Sequence, residues 1–538
     1  MEKVFIYDTT LRDGTQRQGI SLSISDKLKI AKILDKMGVD YIEGGWPGSN
    51  PKDQEFFRKV KELNLKNSKV AAFGSTRRAK LTVEEDTNIR ALIESETPTV
   101  TIVGKSWDLH VTEVLSTTLD ENLKMIEESV SFLKKHNREV IYDAEHFFDG
   151  FKANDQYALK TINAALQGGA DWVILCDTNG GSLPEEVQAI TKKVISLTSG
   201  TAARVGIHTH NDCELAVANS YSAVIAGARQ IQGTINGYGE RCGNANLTSL
   251  VPLLQLKTGF TCIPQESIQK LVEISRTVAE IANLAPDEFQ PFVGKNAFAH
   301  KGGIHVAAVE KISYSYEHIP PESVGNSRNI VVSELSGQGN IRMASAALQI
   351  DLSGKEKDVL AEIKNLEQKG YQFENADGSF ELVLRKFQPN FKNYFETEEI
   401  KVSIARDQSG DYKCTAVIKI KINNSIEHVV AEGDGPVKAL DEALRKALAP
   451  HYPQINNMNL IDFKVRIINP DSATDATVRV HIEAMSHYEK NQSEHDFETK
   501  EKIPEIWTTV GCSKNIIEAS YIALSDSFEV FLQRGTIN

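Results

Sequence analysis

Eight short runs rich in β-branched and aromatic residues recur along the first half of the chain, and the stretch after each leaves room for one helix. They lie at Val4 to Asp8, Tyr41 to Gly45, Val70 to Gly74, Val100 to Gly104, Val140 to Glu145, Trp172 to Asp177, Val205 to His210 and Gln230 to Asn236. Between them, segments such as Ser25 to Met37 and Asn122 to Lys135 carry apolar residues at helical spacing. Eight β-then-α units predict an α/β fold, a (β/α)8 TIM barrel, over residues 1–264. A doubly wound open sheet is the main rival, but it usually announces a Gly-rich dinucleotide turn after its first strand, and Arg12-Asp13-Gly14 is not one.

After Pro264 the pattern changes. A helix is expected over Gln265 to Asn283, then a glycine- and histidine-containing segment around His300 to His305, then a solvent-faced helix over Ser353 to Lys369. Residues 265–379 therefore read as a helical linker region. From about Phe380 the period becomes mostly two, at Tyr394 to Ala405, Tyr412 to Asn423, Phe463 to Ile468 and Thr477 to Ala484, so 380–538 reads as a C-terminal α+β domain. It contains a repeat, because the stretch from Val430 and the stretch from Thr508 are each a strand, a glycine turn and an amphipathic helix. Two copies of one unit imply pseudo-twofold symmetry and a surface where copies pair. No acid-base constellation appears there, which favours a regulatory role.

Composition narrows the classes of function. The chain has 538 residues and a net charge of −13, which argues against nucleic acid as a main partner. Six cysteines without C-x-x-C spacing suggest neither a disulfide framework nor a thiolate zinc site and fit a reducing cytoplasm. No signal peptide is expected before the first strand, and no apolar run is long enough to cross a bilayer, so no membrane association is expected.

The chemistry gathers at strand ends. Asp13 is expected at the end of strand one beside Arg12, and charges placed there must be paired or coordinate something. Period two puts His208 and His210 on one face at the end of strand seven, at the barrel mouth where such folds keep their active sites. Three O/N ligands converging from separate strands suit a divalent metal, Zn, Mn, Co or Mg, with positions open for water or substrate. Asn244, in the glycine-rich loop after strand eight, is a candidate fourth ligand. At the ends of strands five and six, Glu145 either orients a histidine ligand or acts in catalysis, and Thr178 is a candidate donor to a substrate carboxylate.

Leu11-Arg12-Asp13-Gly14-Thr15-Gln16 followed by Lys27, with His208-Thr-His-Asn-Asp and Gly243-Asn244-Ala245, resembles the 2-isopropylmalate, homocitrate and citramalate synthases. Gly44-Gly45-Trp46-Pro47-Gly48-Ser49-Asn50-Pro51 and His300-Lys301-Gly302-Gly303-Ile304-His305 are most similar to the citramalate synthase subgroup. The resemblance implies a Claisen-type condensation of acetyl-CoA with a 2-oxo acid, here pyruvate, followed by thioester hydrolysis. It implies a metal on Asp13, His208, His210 and Asn244, and substrate binding by Arg12, Gln16 and Thr178. It also implies oxyanion stabilisation by Arg12 and enolisation assisted by His305 and Tyr316, reaching a neighbouring subunit's barrel, with Glu145 as a rival base. Further implications are a homodimer and feedback by an end-product amino acid, isoleucine for this subgroup. Glu214 departs from the family pattern, standing where many members have glycine, and bears on the loop into the next helix. The alternatives are the same chemistry on a larger oxo acid, a lyase running the reverse cleavage, and a non-catalytic amino-acid sensor on an inactivated barrel.

Overall fold

The computed structural model of the chain describes residues 2–330, 336–406, 410–469, 475–490 and 501–535. Eight parallel strands close on themselves in sequence order: β1 (Phe5–Asp8), β2 (Tyr41–Gly45), β3 (Lys69–Ser75), β4 (Thr99–Lys105), β5 (Glu139–Glu145), β6 (Trp172–Asp177), β7 (Arg204–Thr209) and β8 (Gln230–Gly233). β8 returns to β1, with Phe5 opposite Gln230 and Asp8 opposite Gly233, so no edge is left open. The first crossover helix, Ile24–Met37, begins at Ser23, whose side chain accepts from the Asp26 amide in a capping box, and ends at left-handed Gly38.

Strand period two sorts the barrel into layers. Outward residues such as Ile6, Ile42, Val100, Val173 and Ile207 are fully buried against the helices. Inward residues make a separate plug of Tyr7, Tyr41, Ala71, Ile141, Trp172, Ile174 and Cys176. The same inward faces end in Phe73, Val103, Asp143, Glu145 and His208, which line a cavity at the strands' C-terminal ends. The lumen thus has an apolar base beneath a polar mouth.

The structure separates two compact units, Met1–Phe298 with His318–Arg328, and Ala299–Glu317 with Asn329–Asn538. In the second, β9 (Ala299–His300) pairs with β10 (Asn329–Ile330), and helices Gln338–Ala347, Glu356–Gln368 and Asp377–Lys386 share a small core around Ile341, Val359, Ile363 and Leu384. The repeat is explicit. β11 (Glu396–Arg406), β12 (Tyr412–Ile422) and β13 (Ser425–Gly433) form an antiparallel sheet followed by helix Pro436–Leu448. β14 (Asn459–Ile467), β15 (Val478–Lys490) and β16 (Glu501–Ser513) form another, followed by helix Ile516–Arg534. Both helices pack in one core with Ile418, Ile420, Val480 and Trp507.

Several element boundaries differ from those read in the sequence. The first strand ends at Asp8, so Asp13 does not end it. Asp8 accepts from the Thr10 amide and hydroxyl, which turns the chain, and Asp13 follows at the start of the short turn Gly14–Gln16. The eighth strand ends at Gly233 rather than Asn236, because Asn236 is held left-handed, φ 61°, with Oδ1 accepting from Ser275 and Gln290. The expected helix Gln265 to Asn283 is two, Gln265–Ile268 and Leu271–Ile281, broken at Lys270, whose amide bonds back to Ser267 in a tight turn. Helix Asp377–Lys386 runs across residue 380, where the sequence pattern put the start of the last domain. Glu214 sits at φ 60°, the left-handed region that favours glycine, which is the physical reason a glycine suits that position.

Candidate active site

Three side chains from two places in the barrel converge. His208, the last inward residue of β7, and His210, just beyond its end, face each other with Nε2 atoms 3.3 Å apart. Asp13 Oδ2 is 3.4 Å from His208 Nε2. Among the described residues this is the group whose ligand atoms all lie within 4.8 Å of one another, and all three side chains are buried. His210 is bridged to Asn244 through the backbone, which brings the glycine-rich loop against the pair.

The donor set fits a divalent cation. Ligands about 2.1 Å from an ion stand about 3.0 Å apart in octahedral and about 3.4 Å apart in tetrahedral geometry, which brackets the spacings observed here. Asp13 Oδ1 and Asn244 Oδ1 are buried and have no hydrogen-bond partner, an arrangement costing about 1–3 kcal/mol per atom unless a ligand takes it up. Charge is arranged to match. Burial pushes the Asp13 carboxyl up, but Arg12 and the two histidines outweigh it and hold it well below the usual carboxylate range. Burial, helped by His208, brings His210 down to about 3, leaving its ring neutral. His208 is pushed down by burial but held above its ordinary value by the Asp13 carboxylate.

Arg12 stands beside this cluster without being consumed by it. Its Nε donates to Glu43 Oε2 at 2.7 Å, its Nη1 is 3.6 Å from Asp13 Oδ2, and its guanidinium carbon lies 3.8 Å from the centroid of the Phe73 ring. Glu43 is fully buried and also accepts from the Tyr7 and Thr9 hydroxyls, so it is fixed before it meets Arg12. Phe73 is fixed in turn by the edge of Trp46, whose indole donates to Asn88 and whose amide donates to Asp53. Asp53 pairs with buried Lys27 at 2.5 Å, anchoring the loop after β2.

A cavity of about 800 Å3 opens over these groups, a size suited to an organic ligand of some bulk. Arg12, Asp13, Gln16, Glu145, Thr178, His208 and His210 all line it, so seven of the residues singled out from sequence meet in one place. Thr178 Oγ1 accepts from the His146 amide at 2.9 Å, which leaves its hydroxyl proton to donate. Glu145 is paired with Lys105 at the rim and does not orient a histidine ligand. That position belongs to Gln232, whose Oε1 is 2.8 Å from His208 Nδ1. His305 and Tyr316 lie in the second unit, where their rings stack at 4.3 Å.

Glu43, Phe73, Asp143 and Gln232 were not picked out as site residues from the sequence. Glu43 carried a usable signal, being the one charge in the strand Tyr41–Gly45. Gln232 is opposite His208 in the β7–β8 register, which becomes visible only once the strands are paired.

With that geometry in place, three family models cover most of the chain: HMGL-like at residues 3–278, a homocitrate synthase post-HMGL domain-like region at 292–371, and a LeuA allosteric (dimerisation) domain at 375–532. An (R)-citramalate synthase of Aquifex aeolicus is 52% identical over 530 residues, covering 98% of this chain and 97% of the relative. The chain belongs to the citramalate synthase family. A second member, from Geobacter sulfurreducens, is 48% identical over 99% of this chain and 98% of its own length. A 2-isopropylmalate synthase of Sulfolobus acidocaldarius is more distant, 36% identical over 70% of this chain and 94% of the relative.

Proposed function

We propose that this chain is an (R)-citramalate synthase, condensing acetyl-CoA with pyruvate and hydrolysing the thioester to citramalate and CoA. The observation that carries the reading is near-full-length identity to (R)-citramalate synthases together with a buried Asp13–His208–His210 cluster at the base of a ligand-sized cavity. A divalent cation, Mn, Mg, Zn or Co, held by these residues with Asn244 would act as a Lewis acid on the oxo acid.

The protein's own groups supply the rest. Arg12, immobilised through Nε and with Nη1 3.6 Å from the Asp13 carboxylate, holds its guanidinium beside the cluster to meet the negative charge that develops on the keto oxygen, a preorganised contact worth about 3–4 kcal/mol. Thr178 donates its hydroxyl to the oxo acid carboxylate, and Gln16 lines the same cavity. Arg78 and Lys80 on the cavity wall carry no ion pair among the described residues and suit an anionic co-substrate such as acetyl-CoA. For removal of the methyl proton we propose His305 with Tyr316, reaching in from a neighbouring subunit, with Glu145 as the rival base.

The last domain is proposed to dimerise the protein and to bind a feedback amino acid, isoleucine. Its match to an allosteric dimerisation domain supports this, as do the apolar side chains Ile404, Phe463, Val465 and Ile467, exposed on its sheets. Among the described residues no helix is long and apolar enough to cross a membrane, and the six free cysteines suit a cytoplasmic location. The test is CoA release from acetyl-CoA with pyruvate, 2-oxoisovalerate and 2-oxoglutarate side by side. Pyruvate is expected to be preferred, and a strong preference for either larger acid would overturn the assignment.

A further inference from the structure

We infer that Gln232, held from behind by Asp143, is a positioning residue that puts the His208 proton on Nδ1 and so leaves the Nε2 lone pair for the metal. The inference rests on the metal reading of the Asp13–His208–His210 cluster. Gln232 is opposite His208 in the strand register, and His208, Gln232 and Asp143 are all at most 5% exposed. Gln232 Oε1 lies 2.8 Å from His208 Nδ1, and its Nε2 donates to Asp143 Oδ1 at 3.0 Å.

A carboxamide has a donor end and an acceptor end, and the barrel lumen gives each a different partner. Burial raises the Asp143 carboxyl to about 7, and in its ionised form it can only accept, so it takes the NH2 end and the oxygen end faces His208. Nδ1 therefore carries the proton and Nε2 presents its lone pair. That lone pair lies where His210 Nε2, at 3.3 Å, and Asp13 Oδ2, at 3.4 Å, converge. With Asp143 ionised, turning the amide over would set oxygen against oxygen there, so the orientation is locked from the Asp143 end. The ring would otherwise be free to place its N–H in the cluster, where a metal needs a lone pair. A hydrogen-bond acceptor behind a histidine ligand also raises its basicity, and loss of such a partner typically weakens metal binding about 10- to 100-fold.

The experiment uses full-length protein stripped with a chelator, dialysed, and titrated with Mn2+ alone while free Mn2+ is followed by electron paramagnetic resonance. Gln232→Leu is expected to weaken Mn2+ binding by about 10- to 100-fold with unchanged circular dichroism. The double variant Gln232→Glu, Asp143→Asn restores an acceptor to Nδ1–H and reverses the second bond, so it is expected to recover near-parental affinity. Parental affinity in Gln232→Leu, or a double variant as weak as Gln232→Leu, overturns the inference. Absence of Mn2+ binding by the parent protein overturns the metal reading itself. Should a variant fail to fold, the metal-free parent labelled with 15N-histidine decides. A His208 ring protonated at Nδ1 supports the relay, and one protonated at Nε2 refutes it.

Discussion

The contact between Arg12 and Phe73 turns an aromatic ring with no reactive group into a determinant of turnover. The guanidinium is 3.8 Å from the ring centroid, Phe73 is buried, and only 14% of the Arg12 side chain is exposed, so the cation–π attraction acts in a largely dry setting and should reach about 1–2 kcal/mol. Phe73→Leu removes the quadrupole and the seat for the Trp46 edge while keeping an apolar group in place. Glu43 still holds Nε, so Arg12 should stay in the site with its Nη groups less well aimed. If the lost alignment is felt mainly when charge develops, kcat should fall by about 5- to 30-fold, since about 1.4 kcal/mol is a factor of ten, while KM for the oxo acid changes little. Steady-state CoA release gives both parameters. A series of progressively fluorinated phenylalanines at position 73 separates ring charge from ring shape, because fluorine drains the ring face while scarcely changing its size. Turnover should decline stepwise along that series. Parental kcat in Phe73→Leu, or a fluorinated series without trend, would refute the reasoning.

Two further substitutions probe the barrel. Asp8 is fully buried, and burial raises its carboxyl from 3.8 to about 7. Between about pH 4 and 7 the folded chain keeps a proton that the unfolded chain has lost, so Asp8 makes stability fall as pH rises through that window, by about 1.4 kcal/mol per unit, and then level off. Asp8→Asn removes this dependence, so its urea midpoint should gain on the parent more at pH 8 than at pH 5, and an equal gap at both would contradict the burial argument. Gly239 stands where a Cβ would overlap Asn244 Nδ2, so Gly239→Ala should displace Asn244 and lower Mn2+ affinity. Unaltered affinity with a displaced Asn244 would remove it from the ligand set.

The barrel was legible because its signal is local and repeated: eight β-branched runs, each followed by a helix-length segment, leave few topologies. His208 and His210 were legible because period two puts them on one face whatever lies opposite. Gln232, Asp143 and Glu43 were not, because their meaning depends on which strand pairs with which and in what register. The end of β8 was misplaced because Asn236 is turned out of the strand by Ser275 and Gln290, contacts distant in sequence that no local propensity encodes. Asp13 was put at a strand end because the side chains of Asp8 and Thr10, which create the intervening turn, read equally well as a continuing strand. Phe73 gave no signal, since a phenylalanine inside an apolar strand looks like core until the cation above it is seen.

The most direct measurement is pyruvate-dependent CoA release by chelator-stripped full-length protein, before and after Mn2+ is restored, run in parallel with Asp13→Ala. The expected result is no release before restoration, recovery in the parent, and no recovery in the variant, whose circular dichroism should match the parent's. Turnover in the stripped protein, or by Asp13→Ala, would contradict the assignment of the reaction to the Asp13–His208–His210 cluster.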